Sequence, residues 1–526
     1  MPKRSTANSA TIPPPVNGIN TRDPISGMDQ LFALEAVNFI SKNGGVELRE
    51  GSRYHSKDIT YNPSIVTDIV MALGVIPDNL GVNKLIAFGS GFFLATSNIH
   101  NAVAYDATTP GSAAPIYTGG AVLEKAAPCI AMTVFQGKIW YPASGVNLFI
   151  KYWDGASATE TNVAVPINDV RLIFNYKNRL YYTRRKSIYW GGVNAIAGFV
   201  IGDTYDVASL LSYGGNIIYG GDMSRGQAQS DNYMILVSDT GEILLFQGEY
   251  PASPTWSIVG RFKIPQPCGA RAFVKYGSDI LVLTVQGVVS ILDVIQGNQV
   301  INFLSDNIGD YFSDFSSIVN YNYGVTAPIG AYFSGVWWPD RGWIVFTYVA
   351  DLQDIINGEP YPTMRMIVYD TKNNSWWRWD GINAYSLAVL NGELYIGTTD
   401  GRVFKMTGDF DEDPANEGAI LTRTIKLRPA YNYFGDRSAS KQFVEARPIL
   451  KQSEGLTLTM DADVDYQDTT ATNTVTDLTN TAYKLYAPRV GLQGIGRCAS
   501  IRIDGTVTTK RFRLEATEVI WNDGDI

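Results

Sequence analysis

The sequence predicts an all-β protein: an irregular β-propeller of six or seven blades, with an antiparallel β platform built from the C-terminal region and the N-terminal segment. Three observations predict it. Between Met364 and Met406 two strand-turn-strand units follow one another, a junction motif of the same kind recurs upstream, and the chain after Ala419 changes to longer alternating strands.

In the first of these, Ile367 and Tyr369, then Trp377 and Trp379, flank the turn Thr371-Lys372-Asn373-Asn374-Ser375; Leu394 and Ile396, then Val403 and Phe404, flank Thr398-Thr399-Asp400-Gly401-Arg402. Turns rich in Asn, Asp and Gly tolerate the positive φ that tight hairpins need. Two hairpins in tandem suggest consecutive blades. The junction motif reads small or turn residue, charged residue, aliphatic, then apolar or aromatic. It occurs at Gly137-Lys138-Ile139-Trp140-Tyr141, Asn178-Arg179-Leu180-Tyr181-Tyr182, Gly241-Glu242-Ile243-Leu244-Leu245, Ser278-Asp279-Ile280-Leu281-Val282 and Gly392-Glu393-Leu394-Tyr395-Ile396, with Asn83-Lys84-Leu85-Ile86-Ala87 as a further copy. Four strands with their turns occupy roughly 40 residues, so the uneven spacing requires insertions. A sandwich of the same strands stays open, because periodicity identifies hairpins better than their closure.

Taken in order, residues 1–15 read as a flexible arm ending in Pro13-Pro14-Pro15, a run that favours extended polyproline geometry. Residues 16–82 form a platform-associated segment with a short helix: Ser26 as N-cap, Asp29 three residues on, and Phe32, Ala36 and Phe39 on one face. The propeller spans 83–407. The acidic run 408–418, with Pro414, reads as a linker. Residues 419–526 then alternate charged and apolar residues as an antiparallel sheet with one wet face does.

Composition bounds the class. A chain of 526 residues exceeds one ordinary core. The 45% hydrophobic content and the 30 Tyr and 22 Phe favour folded strands. A net charge of −9 opposes tight non-specific binding to nucleic acid. Cys129, Cys268 and Cys498 are too few and too far apart for a disulfide framework or a metal knuckle, and read as buried thiols. The N-terminus MPKRSTANSATIPPP has no apolar run of the kind a signal peptide or anchor carries.

Little in the sequence points to catalysis. His55 and His100 lie in no metal or nucleophile motif, Ser238-Asp239-Thr240-Gly241 lacks the register and Trp of a sialidase-type box, and no cofactor motif is present. Asp461, Asp463 and Asp465 alternate along MDADVDY; they read as a solvated strand face opposite Met460, Ala462, Val464 and Tyr466, the sharper reading being a hard-cation site. Trp376, Trp377 and Trp379, with Trp337, Trp338 and Trp343, read as aromatic filling between blades, or as a sugar-stacking platform. Arg184, Arg185 and Lys186 form a basic hairpin tip, either solvated or contacting DNA phosphate or a neighbouring subunit.

The segments Asn17-Gly18-Ile19-Asn20-Thr21-Arg22-Asp23, Ala36-Val37-Asn38-Phe39 and Val46-Glu47-Leu48-Arg49-Glu50-Gly51-Ser52 open a series that continues in order. Leu236-Val237-Ser238-Asp239-Thr240-Gly241-Glu242-Ile243 is followed by Phe246-Gln247-Gly248, Trp256 and Val274-Lys275-Tyr276-Gly277-Ser278-Asp279-Ile280-Leu281-Val282-Leu283. Val368-Tyr369-Asp370, Asn391-Gly392-Glu393-Leu394-Tyr395-Ile396-Gly397, Tyr433-Phe434-Gly435-Asp436, Lys441 and Arg447-Pro448 complete it. Together they resemble the tail tube "nozzle" proteins of short-tailed, podovirus-type bacteriophages, over about residues 17–450; nothing after Tyr466 matches.

The resemblance implies a propeller-plus-platform virion protein of the distal tail, made in the host bacterial cytoplasm and not an enzyme. Six copies would ring the DNA exit channel below a tail adaptor ring, beside tail fibre or spike proteins. The ring would contact genomic double-stranded DNA transiently, retain it until ejection, and meet the host envelope. Asn20, Arg22 and Asp23, with Glu47, Arg49 and Gly51, bracket an element too short to fold alone and form the candidate assembly motif. The alternatives from other classes are a carbohydrate-binding propeller for host-envelope recognition and a glycan hydrolase.

Overall fold

The computed structural model describes residues 7–57, 59, 68–77, 83–91, 101–116, 131–142, 148–224, 232–297, 301–325, 332–351, 353–354, 362–413, 418–452, 456–467, 473–475, 484–508 and 511–523. The fold is all-β, with helix among the described residues confined to short pieces such as Ile291–Ile295 and Phe315–Val325. The chain forms two compact units. One comprises His55–Met364 and Asn383–Lys405; the other comprises Met1–Tyr54, Arg365–Ile382 and Met406–Ile526.

The first unit is a β-propeller. Its sheets follow the sequence: Asp68–Pro77, Asn83–Gly91, Asn101–Asp106 and Ala114–Pro115 make the first, and Thr133–Phe135, Lys138–Pro142, Phe149–Trp153 and Thr161–Ala164 the second. Leu172–Tyr176, Arg179–Arg184, Ser187–Trp190 and Thr204–Asp206 make the third, and Ile217–Ser224, Asn232–Ser238, Glu242–Gln247 and Ser257–Lys263 the fourth. A three-stranded fifth sheet runs Phe273–Tyr276, Asp279–Thr284, Gly287–Ser290, and the last begins with Ala384–Leu390 and Glu393–Thr398. Among the described residues six sheets thus serve as blades, and the hairpin Ser334–Trp338/Trp343–Val349 adds a further inner strand between the fifth and the last, where the Gly335 amide donates to the Arg271 carbonyl at 2.9 Å.

Period-two alternation explains how the blades stack. On the fourth blade Met234, Leu236, Leu244 and Phe246 pack with Leu172, Phe174 and Ile188 of the third blade, while Ile235, Val237, Ile243 and Leu245 pack with Ile280, Val282 and Val289 of the fifth. Opposite faces of one strand therefore fill two different cores. Each such side chain, fully buried, contributes about 1.5–3 kcal/mol. The ring closes where Val70, Leu73, Leu85 and Tyr105 of the first blade share a core with Ala388, Leu390, Tyr395 and Val403 of the last. That closure, which hairpin periodicity could not supply, decides for a propeller over a sandwich.

The second unit is the platform. One of its sheets orders Phe39–Lys42, Gly45–Leu48, Phe512–Asp523, Lys441–Gln452 and Lys484–Tyr486. A second runs Ser375–Trp379, Ala33–Val37, Arg423–Pro429, Ala499–Val507, Leu456–Val464 and Asn473–Thr474.

Four expectations are corrected. The arm is not free over its described part: Ala7–Ile12 pairs antiparallel with Phe512–Asp523, from Ala7 opposite Asn522 to Ile12 opposite Thr517. The short helix is a strand, Ala33–Val37, because the long strand Arg423–Pro429 offers it a ladder and Asn38, at φ 65°, turns the chain out of it; tertiary pairing overrides a helical spacing of only three side chains. The propeller begins at His55 rather than at residue 83 and excludes Arg365–Ile382, so the first of the tandem hairpins, Met364–Asp370/Ser375–Trp379, falls largely in the platform. The acidic run is no simple linker either, since Asp411–Glu412 pairs with Ile420–Leu421 and Asp411 is buried.

Candidate functional site

Two features of the propeller are open to ligands, and a third, in the platform, is closed. The inner strands converge on an axial cavity of about 410 Å³ lined in turn by Gly74, Thr133, Asn175, Gly220, Arg271, Gly335 and Ser386. Glycines and short side chains at these positions leave room where strands crowd. The Arg271 guanidinium donates to the Met71 carbonyl and lies 5.4 Å from the centre of the Tyr385 ring. Lys275 Nζ sits 2.8 Å from Asp222 Oδ1, both half exposed. The lining mixes polar groups with aliphatic and aromatic side chains, and its few charges nearly cancel. The cavity is too small for duplex DNA, whose major groove alone is about 12 Å wide.

The basic tip is where hairpin geometry puts it. Arg179–Arg184 and Ser187–Trp190 pair through a two-residue turn at Arg185 and Lys186, and Arg185 carries the positive φ, 56°, that such turns require. Arg184 and Arg185 are exposed. No salt bridge links any of the three cations to another of the described residues.

The candidate assembly motif divides. Arg49 is buried, with its side chain in a hub around Asp411: Nη1 and Nη2 donate to Oδ1 and Oδ2 at 3.0 and 2.7 Å, and Nε donates to Asn38 Oδ1 at 2.8 Å. Arg423 adds Nε to Asp411 Oδ2 at 3.1 Å and Nη1 to the Arg49 carbonyl at 2.7 Å; Ser52 gives its amide and hydroxyl to Oδ1. Burial alone would push the Asp411 carboxyl up, but the two guanidinium charges and these hydrogen bonds hold it well below the usual carboxylate range. Burial and the charge of Arg49 pull Arg423 down to about 10, so it remains a cation at neutral pH. Gly51 lies against Phe410, where an added Cβ would sit 2.1 Å from the carbonyl oxygen. Glu47 pairs with Arg513 at 3.4 Å and Lys42 at 3.3 Å. Asn20 is buried in a closed turn, its Oδ1 accepting from the Arg22 and Asp23 amides. Arg49, Gly51 and Asn20 are thus buried within the platform itself, and of the candidate assembly motif Arg22 and Asp23 are exposed.

The remaining sequence candidates are also placed. Asp463 is buried, 2.8 Å from Arg428 Nε, while Asp465 and Tyr466 leave the strand with positive φ. The trio therefore does not share a solvated face, and among the described residues no group of acidic, His or Cys side chains could hold a metal. Trp376, Trp377, Trp379, Trp338 and Trp343 are buried, which removes them from any sugar platform. His55 is buried on the Ala107 carbonyl at 2.9 Å, and Cys268 and Cys498 are buried free thiols. His100 and Cys129 lie outside the described residues.

Sequence reasoning missed Asp411 and Arg423, because an aspartate inside an acidic run looks solvated until its partners arrive from strands far along the chain. It also missed a buried trio on the second blade, in which Tyr141 and Lys151 both bond the Glu160 carboxylate. Burial, then the charge of Glu160, raise the Tyr141 hydroxyl well above its ordinary value. All three are enclosed.

No family model matches the chain, and no curated protein does. Among solved structures it is similar to the computationally designed Ika8 protein, at 11% identity and TM-score 0.36 over 68% of this chain and 99% of the other. BamB from Moraxella catarrhalis gives 12% identity and TM-score 0.35 over 77% and 98%. BBS1N, solved in complex with ARL6DN, gives 13% and 0.29 over 47% and 73%.

Proposed function

We propose that this chain is a structural virion protein of a short-tailed phage: a nozzle subunit whose six-copy ring conducts the genome, retains it and releases it at ejection. The observation that carries the reading is where the family-like segments fall. Asn17–Asp23 and Val46–Ser52 supply the closed turn and two sides of the Asp411 hub, and Leu236–Ile243 supplies the strand pair whose two faces fill neighbouring blade cores. The resemblance therefore rests on residues that set the backbone.

The axial cavity of one propeller does not admit a duplex, so the conduit runs between copies. A net charge of −9 suits a wall that lets phosphate slide, since every cation paired with phosphate adds affinity that resists movement. Arg22 and Asp23 are the exposed members of the assembly motif, and we assign them contact with a neighbouring copy or the adaptor ring, and the Arg184–Lys186 tip fibre, spike or DNA contact. Electron micrographs of the purified chain, alone and with tail partners, test this: six-fold rings are expected, and isolated monomers under both conditions would overturn it.

A further inference from the structure

The connection between the third blade's last two strands is long, apolar and uncharged. After Ser187–Trp190 the chain runs Gly191-Gly192-Val193-Asn194-Ala195-Ile196-Ala197-Gly198-Phe199-Val200-Ile201-Gly202 before Asp203, twelve residues without a charge. Val193, Ile196, Val200 and Ile201 are exposed by 58%, 37%, 53% and 66%. Isolated exposed aliphatics need no explanation, but four within nine residues of one loop do.

The loop is nevertheless built. Phe199 turns inward and meets the Tyr182 ring edge-on at 5.4 Å, in the core shared by the second and third blades. Gly191 makes room for it: a Cβ there would lie 2.6 Å from the Phe199 ring. Asn194 ties the loop to the neighbouring turns, its amide donating to the Asn178 carbonyl at 2.7 Å and its side chain accepting from Gln136 Nε2 at 2.7 Å. Within the loop, the Ala195 amide bonds the Gly192 carbonyl and the Asp203 amide the Val200 carbonyl. One aromatic anchor thus holds a ring of outward aliphatics on a hydrogen-bonded backbone.

We propose that Gly192–Gly202 is a membrane-docking loop that inserts Val193, Ile196, Val200 and Ile201 into the interfacial layer of a phospholipid bilayer. Three features favour lipid over protein as the occupant. The outward residues are small aliphatics, which hydrocarbon accepts, and lack the Trp, Tyr or Arg anchors that concentrate binding energy in protein interfaces. Backbone groups entering lipid must be satisfied internally, and the turn bonds above do part of this. The cations at the loop's base, exposed Lys177 in the adjoining turn and Arg179, whose Nη1 donates to the Gly191 carbonyl at 2.9 Å, match an anionic headgroup layer. The Arg184–Lys186 tip stands at the other end of the same hairpin and takes no part.

The proposal stands apart from ring assembly, so either can fail alone. The full-length chain is floated with vesicles of phosphatidylcholine and with vesicles of phosphatidylcholine mixed with phosphatidylglycerol. The wild type should float with both and better with the mixture; Val200→Asp/Ile201→Asp should lower the bound fraction at least about tenfold, with an unchanged Tm because both side chains are exposed. Lys177→Glu should abolish the preference for phosphatidylglycerol. The indole introduced by Ile201→Trp should shift its emission to the blue and be quenched by brominated lipid, a readout that stands if the aspartate variant misfolds. Wild-type protein left in the soluble fraction, an unquenched indole, or an aspartate variant that floats normally but loses self-association in light scattering would each overturn the assignment.

Discussion

At the scale of single residues, the platform depends on one carboxylate. Asp411 bridges Arg49 and Arg423, its one negative charge shared between two guanidiniums, and all three side chains are buried. Asp411→Asn would leave two buried guanidiniums facing a neutral amide, and removing one partner of a buried pair costs about 3–5 kcal/mol. Urea unfolding should show a platform transition at much lower denaturant in this variant. The pH dependence follows in sign. Asp411 has a folded pKa below its unfolded one, so its contribution is present above about pH 4 and lost as pH falls further. His55 in the propeller is lowered too, chiefly by burial, so its contribution is present above about pH 6.5 and lost as pH falls below that. Unfolding midpoints measured across acid pH should fall in two stages, and Asp411→Asn should remove only the lower one.

At the scale of elements, turns and edges decide what can be changed. Gly51 must remain glycine because Phe410 occupies the place of a side chain, so Gly51→Ala should cost about 1–3 kcal/mol through overpacking. Arg185 shows the opposite case. It sits at positive φ with an exposed side chain, and Arg185→Gly should be neutral or stabilise by less than about 1 kcal/mol, read as a small rise in Tm. The strand Ala7–Ile12 covers an edge of Phe512–Asp523. Deleting residues 1–12 should expose that edge and promote association, visible as increased light scattering at unchanged propeller content by circular dichroism.

At the scale of the whole molecule, charge and assembly are the testable quantities. Duplex DNA should be held weakly at physiological salt, and a mobility shift showing tight, salt-sensitive retention would contradict the conduit. Arg22→Ala should reduce ring formation while leaving the propeller's melting unchanged, whereas Arg49→Glu should unfold the platform and only thereby prevent assembly. Sizing by light scattering beside thermal melts separates the two.

The sequence by itself determined the all-β class and most propeller hairpins, because strand alternation and turn residues act within a few positions of one another. Gly241-Glu242-Ile243-Leu244-Leu245 announces its turn and strand without reference to the rest of the chain. It also placed the Arg184–Lys186 tip, since a two-residue turn is a local object. Only the tertiary structure decided the role of Ala33–Val37, the division at His55, the closure of first blade on last, and the conversion of an acidic run into a buried hub. Each depends on partners hundreds of residues away, and no local pattern records whether a polar side chain will find its counter-charge. The apolar loop after Trp190 stands between these cases: its composition is plain in the sequence, but its exposure is a fact of packing, set by the one aromatic ring, Phe199, that the core accepts.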